Sequence, residues 1–245
     1  MRRIHAKVSR ETVGARRQIP GDRDPEQLEL VSTLCHELAR YDIAYCHWKS
    51  NDAIARSATG DNDLDLLIAR EQATKFAEIL AGLGFKEAMD PREQQLPGVV
   101  SFYGRDRHTS TIIHVHAHFK LVLGHDYTKN YHIPIEEGYL ASARQDGLFK
   151  IPAPELEFPI FVIRMVLKHC TWDTILIRHG RLSPSEKREL DYLEGRVHPD
   201  QLDDILREYV PCMGRELLDR CAEAIRTTSS VWKDELRSVT SCRED

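Results

Sequence analysis

The run from Thr111 to Gly124, TIIHVHAHFKLVLG, alternates with period two: Ile113, Val115, Ala117 and Phe119 on one face, His114, His116, His118 and Lys120 on the other. Successive side chains of a strand point to opposite faces, so this pattern specifies a strand with one apolar side and a row of imidazoles on the other. With Val99 to Gly104 it forms the second arm of a hairpin turned at Arg105-Asp106-Arg107-His108. The chain must therefore build a sheet, and one face of that sheet is not plain core.

A second stretch, residues 43 to 69, supplies further strands. IAYCHW is bulky on both faces, as expected of a strand covered on both sides. Lys49-Ser50-Asn51 breaks the run, a short helix follows near Asp52 to Ser57, and Gly60 permits the turn into NDLDLLIA. Asp63 and Asp65 share one face of that last strand, about 7 Å apart, and Leu66, Leu67 and Ile68 anchor it in a core. Two carboxylates so placed raise each other's pKa unless a cation sits between them. A hard divalent cation such as Mg²⁺ chooses carboxylate oxygen.

The remaining pattern is mixed, then helical. Asp24-Pro25-Glu26-Gln27 reads as a helix start, followed by an apolar stripe of Leu28, Val31, Leu34, Cys35 and Leu38 to about Arg40. Residues 71 to 83 form another helix, closed by Gly84. A short strand over Phe85 to Met89 and a proline-bearing loop lead to the hairpin. A helix from Ile135 to Ala143 and a strand from Leu148 to Ile151 follow. From Pro154 onward the chain is helix after helix: 155 to 170, one opened by the capping box Ser183-Pro184-Ser185-Glu186, then 199 to 209, 213 to 227 and 230 to 238. The expected class is α+β: a basic arm over 1 to 24, an α/β part over 25 to 152, and a helical part over 153 to 245.

Composition narrows the function classes. Hydrophobic residues at 41% and charged residues at 30% describe an ordinary globular chain. A net charge of −5 argues against a general nucleic-acid binder. No apolar run reaches the roughly 18 residues of a membrane span, and no secretory h-region opens the chain. The six cysteines form no C-x-x-C pair and read as reduced thiols of a cytoplasmic protein.

The order of helix, strand, serine-bearing turn, short helix and D-x-D strand resembles the polymerase-β-type nucleotidyltransferase fold. Lys49-Ser50-Asn51 stands where that fold carries a Gly-Ser turn, and Asp63-Leu64-Asp65 matches its acid pair. More narrowly, HWKSN…GDNDLDLLI with IHVHAHFKLVLG is similar to an uncharacterised bacterial nucleotidyltransferase-like family. Members of that family occur joined to or near thymidylate-kinase-like domains, in loci that often make surface polysaccharides.

The resemblance implies transfer of a nucleoside monophosphate from an NTP to a hydroxyl, with pyrophosphate release. Two Mg²⁺ ions, or Mn²⁺ in their place, would sit on Asp63 and Asp65 about 4 Å apart. Ser50 and the backbone N–H groups of Ser50 and Asn51 would cradle phosphate, with Lys49 adding charge. Arg164 and Lys168, four apart on one helix face, either snorkel at the rim of a core or clamp substrate phosphate. The fold normally brings a third carboxylate from a neighbouring strand. Here that strand offers His114, His116 and His118, of which His116, the middle one, is the candidate base. Three rivals remain: a catalytically weak nucleotide-binding module that supports a partner enzyme, a D-x-D glycosyltransferase using Mn²⁺, and a metal-dependent hydrolase using the histidine strand, which would need more acid or His ligands at supporting spacing.

Overall fold

The computed structural model describes residues 27–89, 91, 95–124, 131–169 and 182–227. Its elements in order are α1 (Glu29–Arg40), β1 (Tyr45–His47), α2 (Ile54–Ala58), β2 (Leu64–Ile68), α3 (Ala73–Gly82), β3 (Lys86–Ala88), β4 (Val99–Arg105), β5 (Ile112–His118), β6 (Val122–Leu123), β7 (Tyr131–His132), α4 (Glu136–Ser142), β8 (Arg144–Asp146), β9 (Phe149–Ile151), α5 (Pro154–His169), α6 (Pro184–Glu194), α7 (Pro199–Tyr209) and α8 (Arg215–Thr227). The fold is α+β, as the sequence implied. The basic arm and the helix expected over 230 to 238 lie outside the described residues.

The main sheet has five strands in the order β1-β2-β5-β4-β3. Only β2 and β5 run parallel; the other neighbours are antiparallel. All five residues of β2 are buried, which is what an interior strand with helices over both faces requires.

Period two then sorts the side chains. Leu64, Leu66 and Ile68 join Ile113, Val115 and Ala117 in one cluster with Val31, Leu34 and Leu38 of α1 and Phe76 and Leu80 of α3. Leu67 points the other way, with Cys46 and Trp48, into a second cluster built chiefly from α5 to α8. The helical half of the chain thus covers the second face of β1 and β2. Asp63, Asp65 and the three histidines of β5 fall in the phase of Leu67, so their polar strip lies on the face those helices cover.

Of the boundaries that differ from the sequence reading, three bear most on the fold. Helix α1 begins at Glu29, with no side-chain cap at Leu28. Its exposed N–H groups are met from the hairpin turn instead, where Asp106 Oδ2 accepts from Leu30 N–H at 3.0 Å. That carboxylate is ordered by its own turn, accepting from the N–H groups of His108 and Thr109 at 3.0 and 2.9 Å. Strand β5 stops at His118, whereas the expected arm of the hairpin ran on to Leu123. Val122 and Leu123 pair with Tyr131 and His132 in a separate two-stranded ribbon. A 3₁₀ turn over Arg70–Gln72 precedes α3. The capping box at Ser183 is present with both of its hydrogen bonds, and Cys35 and Cys46 are free thiols.

Candidate metal centre and the cavity beside it

The site begins with register. Parallel pairing of β2 with β5 sets Asp65 opposite His116 and Leu67 opposite His118. On the other side of β2, Trp48 N–H donates to Asp65 C=O at 3.1 Å, which holds the chain just after β1 against the same carboxylate. Lys49 then reaches Asp65 Oδ1 with its ammonium at 2.9 Å. His116 Nδ1 stands 3.3 Å and His118 Nε2 3.9 Å from that same oxygen. Burial alone would push the Asp65 carboxyl up, but Lys49 and the hydrogen bond with His116 hold it well below the usual carboxylate range. It is therefore an anion in the interior that already attracts three nitrogens.

The two acids of the D-x-D are not equivalent. Asp65 is buried, while Asp63 precedes the strand and is exposed. Asp63 Oδ1 engages His114 Nδ1 at 3.1 Å, and His114 Nε2 lies 3.1 Å from Ser101 Oγ. The hydrogen bond from His114 keeps the Asp63 carboxyl below its ordinary pKa. Each acid thus has its own histidine partner one register step apart. The rings continue as a ladder: Tyr103 stacks on His114 at 4.5 Å, His114 on His116 at 5.5 Å, His116 meets His118 edge-on at 4.4 Å, and His118 meets Trp48 edge-on at 5.0 Å.

Beside this strip lies a cavity of about 430 Å³ between the sheet and helices α5 and α6. Lys49, Ser50, Asp63, Asp65, Arg164 and Lys168 all line it, so six residues singled out in the sequence meet at one place. Of the histidines, His118 lies on its wall. His116 stands behind Asp65, and Asn51 is buried with its side chain turned inward. Asn51 Nδ2 donates to Glu157 Oε1 at 2.7 Å and to His47 C=O at 3.0 Å, and Asn51 Oδ1 meets His47 Nδ1 at 2.8 Å. Burial lowers the pKa of His47 and raises that of Glu157 to about 8, the latter with help from the charge of Glu189.

The cations of α5 are matched by acids of α6 to which the sequence reading gave no part in the site. Glu189 Oε1 accepts from Arg164 Nη2 at 2.7 Å and from Ser50 N–H at 2.8 Å. Lys168 meets Glu186 Oε1 at 3.2 Å. Ser50 itself holds a left-handed backbone, φ 60° and ψ 33°. No sequence signal marked Glu189: it sits on a helix among other charges, and only packing of α6 against the serine turn gives it a role.

Asp65, His116 and His118 offer ligand atoms that all lie within 4.8 Å of one another, so this group can hold a metal ion. A cation on Asp65 fits the donor set, since an ammonium already sits there. A symmetric pair of Mg²⁺ ions on both acids does not fit the arrangement as it stands, because Asp63 is bound to His114 and Asp65 to Lys49. No helix among the described residues is long and apolar enough to cross a membrane. Comparisons with protein-family models, with curated proteins and with solved structures find no match to this chain.

Proposed function

We propose that this chain is a divalent-cation-dependent nucleotidyltransferase of the polymerase-β type. It would move a nucleoside monophosphate from an NTP to a hydroxyl acceptor. One observation carries the reading: a single cavity gathers Asp63 and Asp65 on one wall and Lys49, Ser50, Arg164 and Lys168 around them. Such a cavity suits a polyphosphate, which needs cations along its oxygens and carboxylates only where a metal bridges.

Asp65, and Asp63 once released from His114, would hold the cation, Mg²⁺ or Mn²⁺. When bound there it would neutralise phosphate charge and polarise the oxygens around the reacting phosphorus. Lys49, Arg164 and Lys168 would then turn from their internal acids to the triphosphate. The acceptor hydroxyl loses its proton to solvent water as its oxygen forms a bond to the α-phosphorus and the bond to pyrophosphate breaks, and the cationic wall stabilises the departing charge. His116, facing Asp65 rather than the cavity, acts in this scheme through the carboxylate it contacts.

Calorimetry with ATP, CTP, GTP and UTP in the presence of Mg²⁺ or Mn²⁺ tests the reading, together with an assay for pyrophosphate release. At least one nucleotide should bind, and Asp65→Asn and Asp63→Asn should each abolish pyrophosphate release. Absence of nucleotide binding, or release unaffected by both substitutions, rejects it.

A second reading has its own support. Lys49, Arg164 and Lys168 are each neutralised by an internal acid, as in a site that binds nucleotide without turning it over and serves a partner enzyme, such as a thymidylate-kinase-like one. Pyrophosphate release above background with any acceptor removes it.

A further inference from the structure

We propose that Asp65, His116 and His118 form a single-ion centre for a transition metal, Zn²⁺ or Mn²⁺ in preference to Mg²⁺, and that Lys49 is its stand-in cation. Naming the ion deepens the nucleotidyltransferase proposal, but the donor set supports it without reference to any nucleotide.

Donor chemistry comes first. Two of the three ligands are imidazole nitrogens, which suit Zn²⁺ and other transition ions, whereas Mg²⁺ takes oxygen and gives up water reluctantly. Spacing comes second. Bonds of 2.0–2.1 Å in a tetrahedral shell place ligand atoms roughly 3.3 Å apart. The Asp65 oxygen stands 3.3 Å from His116 and 3.9 Å from His118, and no pair in the group exceeds 4.8 Å. Closure onto an ion therefore needs movements of about an ångström, within the reach of side-chain torsions alone. Among the described residues this is the one group of three metal-ligating side chains so disposed.

The surroundings separate this trio from its neighbours. His114 is committed on both ring nitrogens, to Asp63 and to Ser101. His114, stacked on His116, and Trp48, edge-on to His118, flank the pair and restrict their planes. A ligand set held before the ion arrives loses little freedom on binding it.

Lys49 supplies the second line. Its ammonium lies 2.9 Å from the Asp65 oxygen that both histidine nitrogens face. An ion entering the trio must displace that ammonium, which frees Lys49 at the cavity wall it already lines. Ion binding and release of a cation toward the cavity are then one event.

The test uses the full chain, stripped with chelator, titrated with Co²⁺ and followed by the visible absorption of the bound ion, with Zn²⁺, Mn²⁺ and Mg²⁺ as competitors. One Co²⁺ per chain is expected, displaced by Zn²⁺, with Mg²⁺ effective only at concentrations higher by about 100-fold or more. His116→Ala should weaken Co²⁺ binding by more than about tenfold, and Lys49→Met should tighten it. His118 is fully buried, so His116→Asp serves as the companion variant: it replaces a nitrogen ligand by oxygen at a partly buried position and should move the preference toward Mg²⁺. Melting without metal verifies that each variant is folded. Co²⁺ binding unchanged by His116→Ala, Mg²⁺ competing on equal terms, or no binding at all overturns the proposal. Because no nucleotide is present, any of these results can occur while NTP binding survives, and the reverse.

Discussion

The carboxylate of Glu189 accepts the backbone N–H of Ser50 at 2.8 Å, across 139 positions of sequence. The same oxygen receives Arg164 at 2.7 Å. One acid on α6 thereby fastens the serine turn after β1 to helix α5, and it occupies the N–H that the sequence resemblance assigned to phosphate.

Glu189 and Arg164 are both largely buried, so removing one leaves the other charged and without its partner. Glu189→Ala is expected to cost about 3 kcal/mol or more of stability, read as a lower denaturant midpoint. Glu189→Gln, which can still accept from Ser50 N–H, should recover part of it. A midpoint shared by wild type and Glu189→Ala would show that this fastening contributes nothing.

Lys168 provides a contrast with Arg164. Its pairing with Glu186 is partly exposed, so Lys168→Ala should change stability by no more than about 1 kcal/mol. Arg164→Ala should cost about 3 kcal/mol. If both side chains clamp a polyphosphate, each variant weakens nucleotide binding, but only Arg164→Ala also lowers the melting temperature. Calorimetry and thermal melting on the two variants separate binding from scaffolding.

Glu157 gives the pH dependence. Burial, then the charge of Glu189, raises its pKa from the usual 4.5 to about 8 in the folded chain. Between those values the folded state keeps a proton that the unfolded state has released. Stability therefore falls as pH rises through this window, by at most about 1.4 kcal/mol per unit from this group. Glu157→Gln keeps an oxygen for Asn51 and removes the titration. Its stability curve should be flatter from pH 5 to 8 and should lie above wild type at pH 8. Parallel curves for the two proteins would contradict the assignment.

Ser50 tests the turn itself. A left-handed backbone suits glycine and opposes β-branched residues. Ser50→Gly should be neutral within about 1 kcal/mol, the relief of strain being offset by the freer unfolded chain. Ser50→Val should cost about 2 kcal/mol or more. A midpoint for Ser50→Val equal to that of Ser50→Gly would refute the left-handed geometry.

The elements that read correctly from the residues are those governed by short-range period. The alternation in β5 placed three histidines on one face, and the apolar run after the D-x-D marked β2 as interior. Ser183 announced its helix because a capping box is completed within four residues. The start of α1 did not follow from Asp24, because its N–H groups are met by Asp106, seventy-six positions from Leu30. Likewise β5 ended at His118, since a strand runs only as far as its neighbours pair with it.

Local pattern by itself determined which face of each strand is apolar, which stretch carries the two acids, and that three imidazoles share one face of their own strand, because side-chain direction along a strand depends on nothing beyond the next residue. Tertiary structure alone decided that Asp63 and Asp65 take different histidines, that Lys49 rests on Asp65, and that Glu189 holds Ser50 and Arg164 together. Those outcomes depend on strand register and on how α5 and α6 lie against the sheet, and both are set by packing between segments far apart in the chain.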